Sequence, residues 1–163
     1  MKYIFYFSIA LLFSFQDPGY VKKANKTIKD SVFVVGDIIK IPAILFYSST
    51  QYGEMNQSTK DSLNAIGDFL LKNPNLTVEV TNHTDYRGSD DYNNRLSQEK
   101  AKACVTYLVK EKNIEQSRIT PKGCGEAFLL IDEDDIKKAK TKGEKEALHQ
   151  MNNRTELVVT GVN

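Results

Sequence analysis

Apolar residues change their spacing repeatedly along the chain, and each change marks a predicted element. Residues 3–15 form the first apolar run, uncharged and preceded by Lys2. The run is too short to cross a bilayer comfortably and matches the apolar region of a secretory signal. Residues 1–16 are therefore expected to direct export. Residues 17–31 are polar and basic, contain Pro18-Gly19, and read as a linker. The domain is expected over residues 32–163.

Within it, Val32-Phe33-Val34-Val35, Ile38-Ile39-Lys40-Ile41 and Ile44-Leu45-Phe46-Tyr47 are β-rich pieces separated by Gly36-Asp37 and Pro42. Ser58, with Asp61 three residues on, predicts a helix start, and Leu63, Ile66, Leu70 and Leu71 predict its buried face. Asn73-Pro74 stops that helix. Leu76-Thr77-Val78-Glu79-Val80 alternates as a half-buried strand does. After a polar loop over residues 82–95, Ser97 reads as the cap of a second helix. That helix carries Ala101, Cys104, Val105 and Leu108 at i, i+3, i+4 and i+7.

Residues 119–125 predict another strand and residues 155–160 the last. Residues 132–150 are laced with charge and read as either a solvated helix or a mobile insertion. The order β-α-β-α-β-(α)-β implies an α/β two-layer sandwich, a mixed sheet with helices on one face.

Composition narrows the function. With 40% hydrophobic and 26% charged residues, the chain is globular in type. A net charge of +1 carries none of the basic excess of a nucleic-acid binder. Two cysteines twenty residues apart and two distant histidines make no metal-ligand set, and no cofactor is expected. In an exported protein Cys104 and Cys124 are permitted to bridge. Packing in the core is the preferred expectation, because Cys104 falls on an apolar helix face.

The candidate chemistry lies between Thr81 and Ala101. Asp85 is placed where a strand passes into a loop, a favoured position for a ligand-binding group. The alternative is that it only organises its own turn beside Gly88. Fifteen residues later Lys100 would stand in the first turn of a helix capped by Ser97. A cation there opposes the helix dipole at a cost of about a few tenths of a kcal/mol. An acid and a base at neighbouring element ends are able to receive a zwitterion. Asn93 has donor and acceptor groups to bridge ligand and loop, or only to serve the loop. His83 has no Ser or Cys nucleophile arranged with it, so a hydrolase is disfavoured and a structural histidine preferred. Arg154 reads as a surface residue or a second carboxylate holder.

At these residues the chain resembles the OmpA-like C-terminal domain of outer-membrane protein A, peptidoglycan-associated lipoprotein and flagellar stator proteins. The resemblance is carried by His83-Thr84-Asp85, Gly88, Asn93, Leu96-Ser97 and Ala101. Arg118-Ile119, Gly123-Cys124-Gly125-Glu126 and Asn152-Asn153-Arg154-Thr155-Glu156-Leu157 extend it. It implies a non-enzymatic domain that grips peptidoglycan through the diaminopimelate of the stem peptide, in the periplasm. It further implies that Asp85 takes the ligand's ammonium and Lys100 its carboxylate, with Thr84, Asn93 and Arg154 as further ligand-binding positions. Peptidoglycan is the implied partner, and outer-membrane or other envelope proteins are candidates. With no membrane span expected after signal removal, any membrane link would run through a partner.

Two positions depart from the family. Lys100 stands where arginine is usual, and Asn153 stands where the closing motif has its first arginine. Lysine keeps the charge but lacks the planar fork that grips a carboxylate with two bonds. Loss of one charge-assisted hydrogen bond costs about 1.5–3 kcal/mol, roughly tenfold to more than a hundredfold in affinity. The rival expectation is thus an interaction module of the same fold whose wall binding is weakened or lost.

Overall fold

The computed structural model of the protein describes residues 25–41 and 55–163. The expected signal at residues 1–16, most of the linker and the β-rich piece at residues 44–47 lie outside the described residues. The elements are β1 (Lys26–Thr27), β2 (Ile38–Lys40), α1 (Gln57–Lys72), β3 (Leu76–His83), α2 (Asp90–Lys112), β4 (Ile119–Gly125), α3 (Glu133–Lys138), α4 (Lys142–Asn152) and β5 (Thr155–Val162). The strands form one sheet in the order β1-β2-β5-β3-β4. β3 pairs parallel to β4 and antiparallel to β5, so the sheet is mixed, as expected. Lys26 and Thr27, at the end of the stretch read as linker, pair with Ile39 and Lys40 at the other side.

Period-two patterning chooses the buried face. Leu76, Val78 and Val80 on β3 point into the core with Ile39, Ile119, Leu157 and Val159 from neighbouring strands. On the opposite face Glu79 of β3 meets Lys122 of β4 at 3.2 Å. α1 contributes Leu63, Ile66, Phe69 and Leu70 to the core, and α2 contributes Cys104, Val105 and Leu108. Each large apolar side chain fully buried this way contributes about 1.5–3 kcal/mol. Both cysteines are buried free thiols, in keeping with the packing expectation. Burial pushes the Cys104 thiol up to about 12, so it stays protonated and behaves as a small hydrophobe.

Several local expectations are corrected. α1 is capped by Asn56, whose Oδ1 accepts from the Thr59 N–H at 2.8 Å, and not by Ser58. Leu71 is exposed, and Phe69 takes its place in the core. Val32, Val34 and Val35 do not form a strand and are exposed; the chain turns there, at Gly36. The charge-laced stretch is two helices, α3 and α4, and α4 opens with a capping box between Thr141 and Glu144.

The largest correction concerns α2, which begins at Asp90 under a Ser89 cap, two turns before the expected start. Asp90 and Asp91 in its first turn suit the helix dipole. Ser97 is a fully buried residue inside the helix. Its hydroxyl donates to the Asn94 carbonyl at 3.0 Å and accepts from the Gly125 N–H at 2.9 Å. Gln98 Oε1 accepts from the Gly123 N–H at 2.7 Å. Because β4 is an edge strand among the described residues, these two side chains satisfy backbone donors that no described strand pairs.

Candidate functional site

The site is built where β3 and α4 both end. Past His83 the chain leaves the sheet but stays anchored: the Thr84 N–H donates to the Gly125 carbonyl at 2.9 Å, and the His83 N–H to the Arg154 carbonyl at 2.8 Å. The loop then needs Gly88, whose φ of +119° is a conformation L side chains rarely adopt. A Cβ there would also stand 3.2 Å from Tyr92 Cδ1 and 3.3 Å from Asn93 Oδ1. The turn so formed delivers Asp85 to the sheet end with its side chain only 6% exposed.

Asp85 is crowded with donors. Oδ1 accepts from the Arg87 backbone N–H at 2.8 Å and from Arg87 Nε at 3.0 Å. Oδ2 accepts from Arg87 Nη2 at 2.8 Å and from Asn153 Nδ2 at 2.5 Å. Asn153 Oδ1 accepts in return from the Asp85 N–H at 3.3 Å. His149 Nδ1 lies 3.8 Å from Oδ1, and the His149 ring tilts against Tyr86 at 5.1 Å. Burial pushes the Asp85 carboxyl up, but the bonds from Arg87 and Asn153 outweigh it and hold the pKa below the usual carboxylate range. Asp85 is thus an anion at neutral pH. Organisation of its own turn and provision of a charge are both present: the Arg87 N–H bond is the turn, and the carboxylate is the charge.

Lys100 lies about three turns into α2, not in its first turn, so it does not oppose the helix dipole as expected. It is partly buried, and burial pulls its ammonium pKa down while the charge of Asp85 pushes back. The acid and base read from the sequence are therefore neighbours in the electrostatic sense. Asn93 is buried in the first turn of α2 and not in a loop. Its Nδ2 donates to the Asp85 carbonyl at 3.3 Å and to the Glu126 carboxylate. Thr84 is buried beside Asp85, and its hydroxyl oxygen has no hydrogen-bond partner among the described residues.

Arg154 belongs to a different cluster. Its Nε donates to Glu156 Oε1 at 2.8 Å and its Nη1 to the Phe128 carbonyl at 3.0 Å. Glu156 Oε2 lies 3.4 Å from His83 Nε2, an ion pair only when the imidazole is protonated. Burial depresses the His83 pKa, only partly offset by Glu156. The guanidinium of Arg154 is occupied by these partners and does not reach Asp85 in this arrangement.

Sequence reasoning missed Arg87 and Glu146, and it marked Asn153 only as a departure within the closing motif, not as a partner of Asp85. Arg87 Nη1 donates to Glu146 Oε2 of α4 at 2.8 Å, joining the loop to that helix. The Asp-x-Arg spacing beside a glycine was a visible cue for Arg87. Nothing local pointed to Glu146 or to the pairing of Asn153 with Asp85, contacts that span about sixty to seventy positions. Among the described residues no group of three His, Cys, Asp or Glu is placed to hold a metal, and no helix is long and apolar enough to cross a membrane.

The OmpA family model matches residues 49–148. The chain is 44% identical over 67 residues to outer membrane porin F of Pseudomonas fluorescens, covering 41% of this chain and 20% of that protein. It spans about a fifth of the length of the curated relatives it matches first. In fold it is similar to the peptidoglycan-associated lipoprotein of Burkholderia pseudomallei, with a TM-score of 0.56 and 18% identity over 74% of this chain and 90% of that one. It is also similar to the periplasmic domain of Helicobacter pylori MotB, with a TM-score of 0.60 and 19% identity over 80% and 76% of the two chains.

Proposed function

The chain belongs to the OmpA family, and we propose that it binds cell-wall peptidoglycan non-covalently, through the diaminopimelate of the stem peptide. Asp85 receives the ligand's ammonium and Lys100 its carboxylate. The observation that carries this reading is the nearly buried Asp85 carboxylate at the end of β3, whose charge acts on the partly buried Lys100. In a site shielded from water both charges act more strongly than at an open surface. Asn93 positions the Asp85 backbone, and the unpartnered Thr84 hydroxyl beside it is a further polar contact for a ligand. Arg154 serves the ligand only if its bonds to Glu156 and Phe128 are exchanged.

The relatives support the wall as the target, since one similar structure is by name a peptidoglycan-associated lipoprotein. The protein would then act in the periplasm, tethering the envelope to the wall without catalysis. Retention on purified diaminopimelate-type sacculi tests this. Wild type is expected to be retained and Asp85→Ala to wash off. Equal retention of both would remove the site assignment.

A second reading, an interaction module with weakened wall binding, is favoured by one observation. Both Asp85 oxygens already accept internal hydrogen bonds. Absence of sacculus binding by wild type, with stable capture of another envelope protein, would select it.

A further inference from the structure

Arg87 folds back onto the Asp85 carboxylate and donates to both of its oxygens. Its backbone N–H, Nε and Nη2 all donate to Asp85, one oxygen receiving two bonds and the other one. Paired N–H bonds from a guanidinium to the two oxygens of a carboxylate are charge-assisted and roughly twice as strong as neutral hydrogen bonds. The opposite edge of the guanidinium is bonded to Glu146, on an element remote in sequence. Asn153 supplies the remaining bond to Oδ2. The Asp85 carboxylate is left almost without solvent contact, whereas the Arg87 side chain is 48% exposed. Exposure on that side means the guanidinium is able to swing into water without unpacking the core.

We propose that Arg87 is an internal competitor for Asp85, a latch of like charge that the ligand's ammonium must displace and that Glu146 helps to hold closed. This rests on the proposed binding of an ammonium at Asp85. The latch prevents a buried carboxylate from standing unpaired when no ligand is present, a state that is costly. It also lowers apparent affinity by the fraction of molecules in which it is open. Ligand selection follows from the same arrangement. A weak or badly placed cation fails to repay the loss of the Arg87 bonds, so simple amines are excluded. Position 87, and not only positions 85 and 100, then determines what binds.

Calorimetric titration of the purified chain with meso-diaminopimelate provides the test. Arg87→Ala is expected to bind about tenfold more tightly than wild type, the gain from a latch closed roughly nine-tenths of the time. Glu146→Gln removes the exposed charge that pairs with Arg87 and is expected to tighten binding about two- to fivefold. Asp85→Ala is expected not to bind. Glu146 is exposed on α4, so its variant keeps the test valid should Arg87→Ala fold poorly. Unchanged or weaker binding by the Arg87 and Glu146 variants, with Asp85→Ala still inactive, would overturn the latch and leave the binding site intact. No binding by any variant would remove the site assignment and the latch with it.

Discussion

Asn153 and Asp85 clasp each other across 68 positions of sequence: the Asn153 amide donates to the Asp85 carboxylate at 2.5 Å and accepts from its backbone N–H at 3.3 Å. One side chain thereby closes the gap between the end of β3 and the C-cap of α4. This neutral amide satisfies the loop without adding charge. Asn153→Ala leaves a nearly buried carboxylate one donor short and its backbone N–H unpaired. It is expected to cost about 1–3 kcal/mol, read as a lower urea midpoint at unchanged slope.

Lys100→Arg replaces a point charge with a planar, forked cation. If position 100 holds the ligand's carboxylate, the variant gains a charge-assisted bond and binds diaminopimelate at least about tenfold more tightly. Titration calorimetry measures this directly. An unchanged constant would show that the carboxylate does not reach this position.

Stability is expected to fall with acid in two separate windows. Burial holds the folded-state pKa of His83 below its ordinary value, so the unfolded chain takes up the proton first. The unfolded state then binds more protons, and stability declines as pH drops from about 6.5 toward the folded pKa. Asp85 and Glu156 also have depressed folded-state values, their hydrogen bonds outweighing burial. Their contribution is complete above the unfolded pKa of about 4 and is lost as pH falls through the folded values. Melting temperature against pH should show both steps. His83→Asn should flatten the upper one and Asp85→Asn reduce the lower one.

Gly123 is a packing requirement of the α2–β4 contact. A Cβ at this position would stand 2.6 Å from Gln98 Cα and 2.6 Å from Ser97 Oγ. The first obstacle is helix backbone, which has no flexible end to move. Gly123→Ala is expected to destabilise by roughly 1–3 kcal/mol or more, and to separate Ser97 and Gln98 from the edge strand. Denaturant unfolding reads the stability. Loss of hydrogen-exchange protection at the Gly123 and Gly125 amides reads the separation.

Much of this was legible in residue patterns. Alternation at Leu76, Val78 and Val80 and the helical spacing of Ala101, Cys104, Val105 and Leu108 identified β3 and α2, because burial on one face imposes its period on the sequence. Asp85 and Gly88 were legible for another reason: a tight turn and a charged group leave local signatures. Boundaries were less so. Ser89 and Ser97 are both good caps in isolation, and Gly125 decides between them by occupying the Ser97 hydroxyl.

By itself, then, the sequence determined the alternation of helices and strands from α1 to β4, most of the buried faces and the place of the Asp85 carboxylate at a strand end. These depend on interactions between residues close in the chain. Tertiary structure alone decided which groups surround that carboxylate. Arg87 turns back onto Asp85, Asn153 and Glu146 arrive from α4, and Arg154 is drawn away by Glu156. Hydrogen bonds and ion pairs between distant segments have no sequence period. Their partners are chosen by where the sheet and helices place the chain ends.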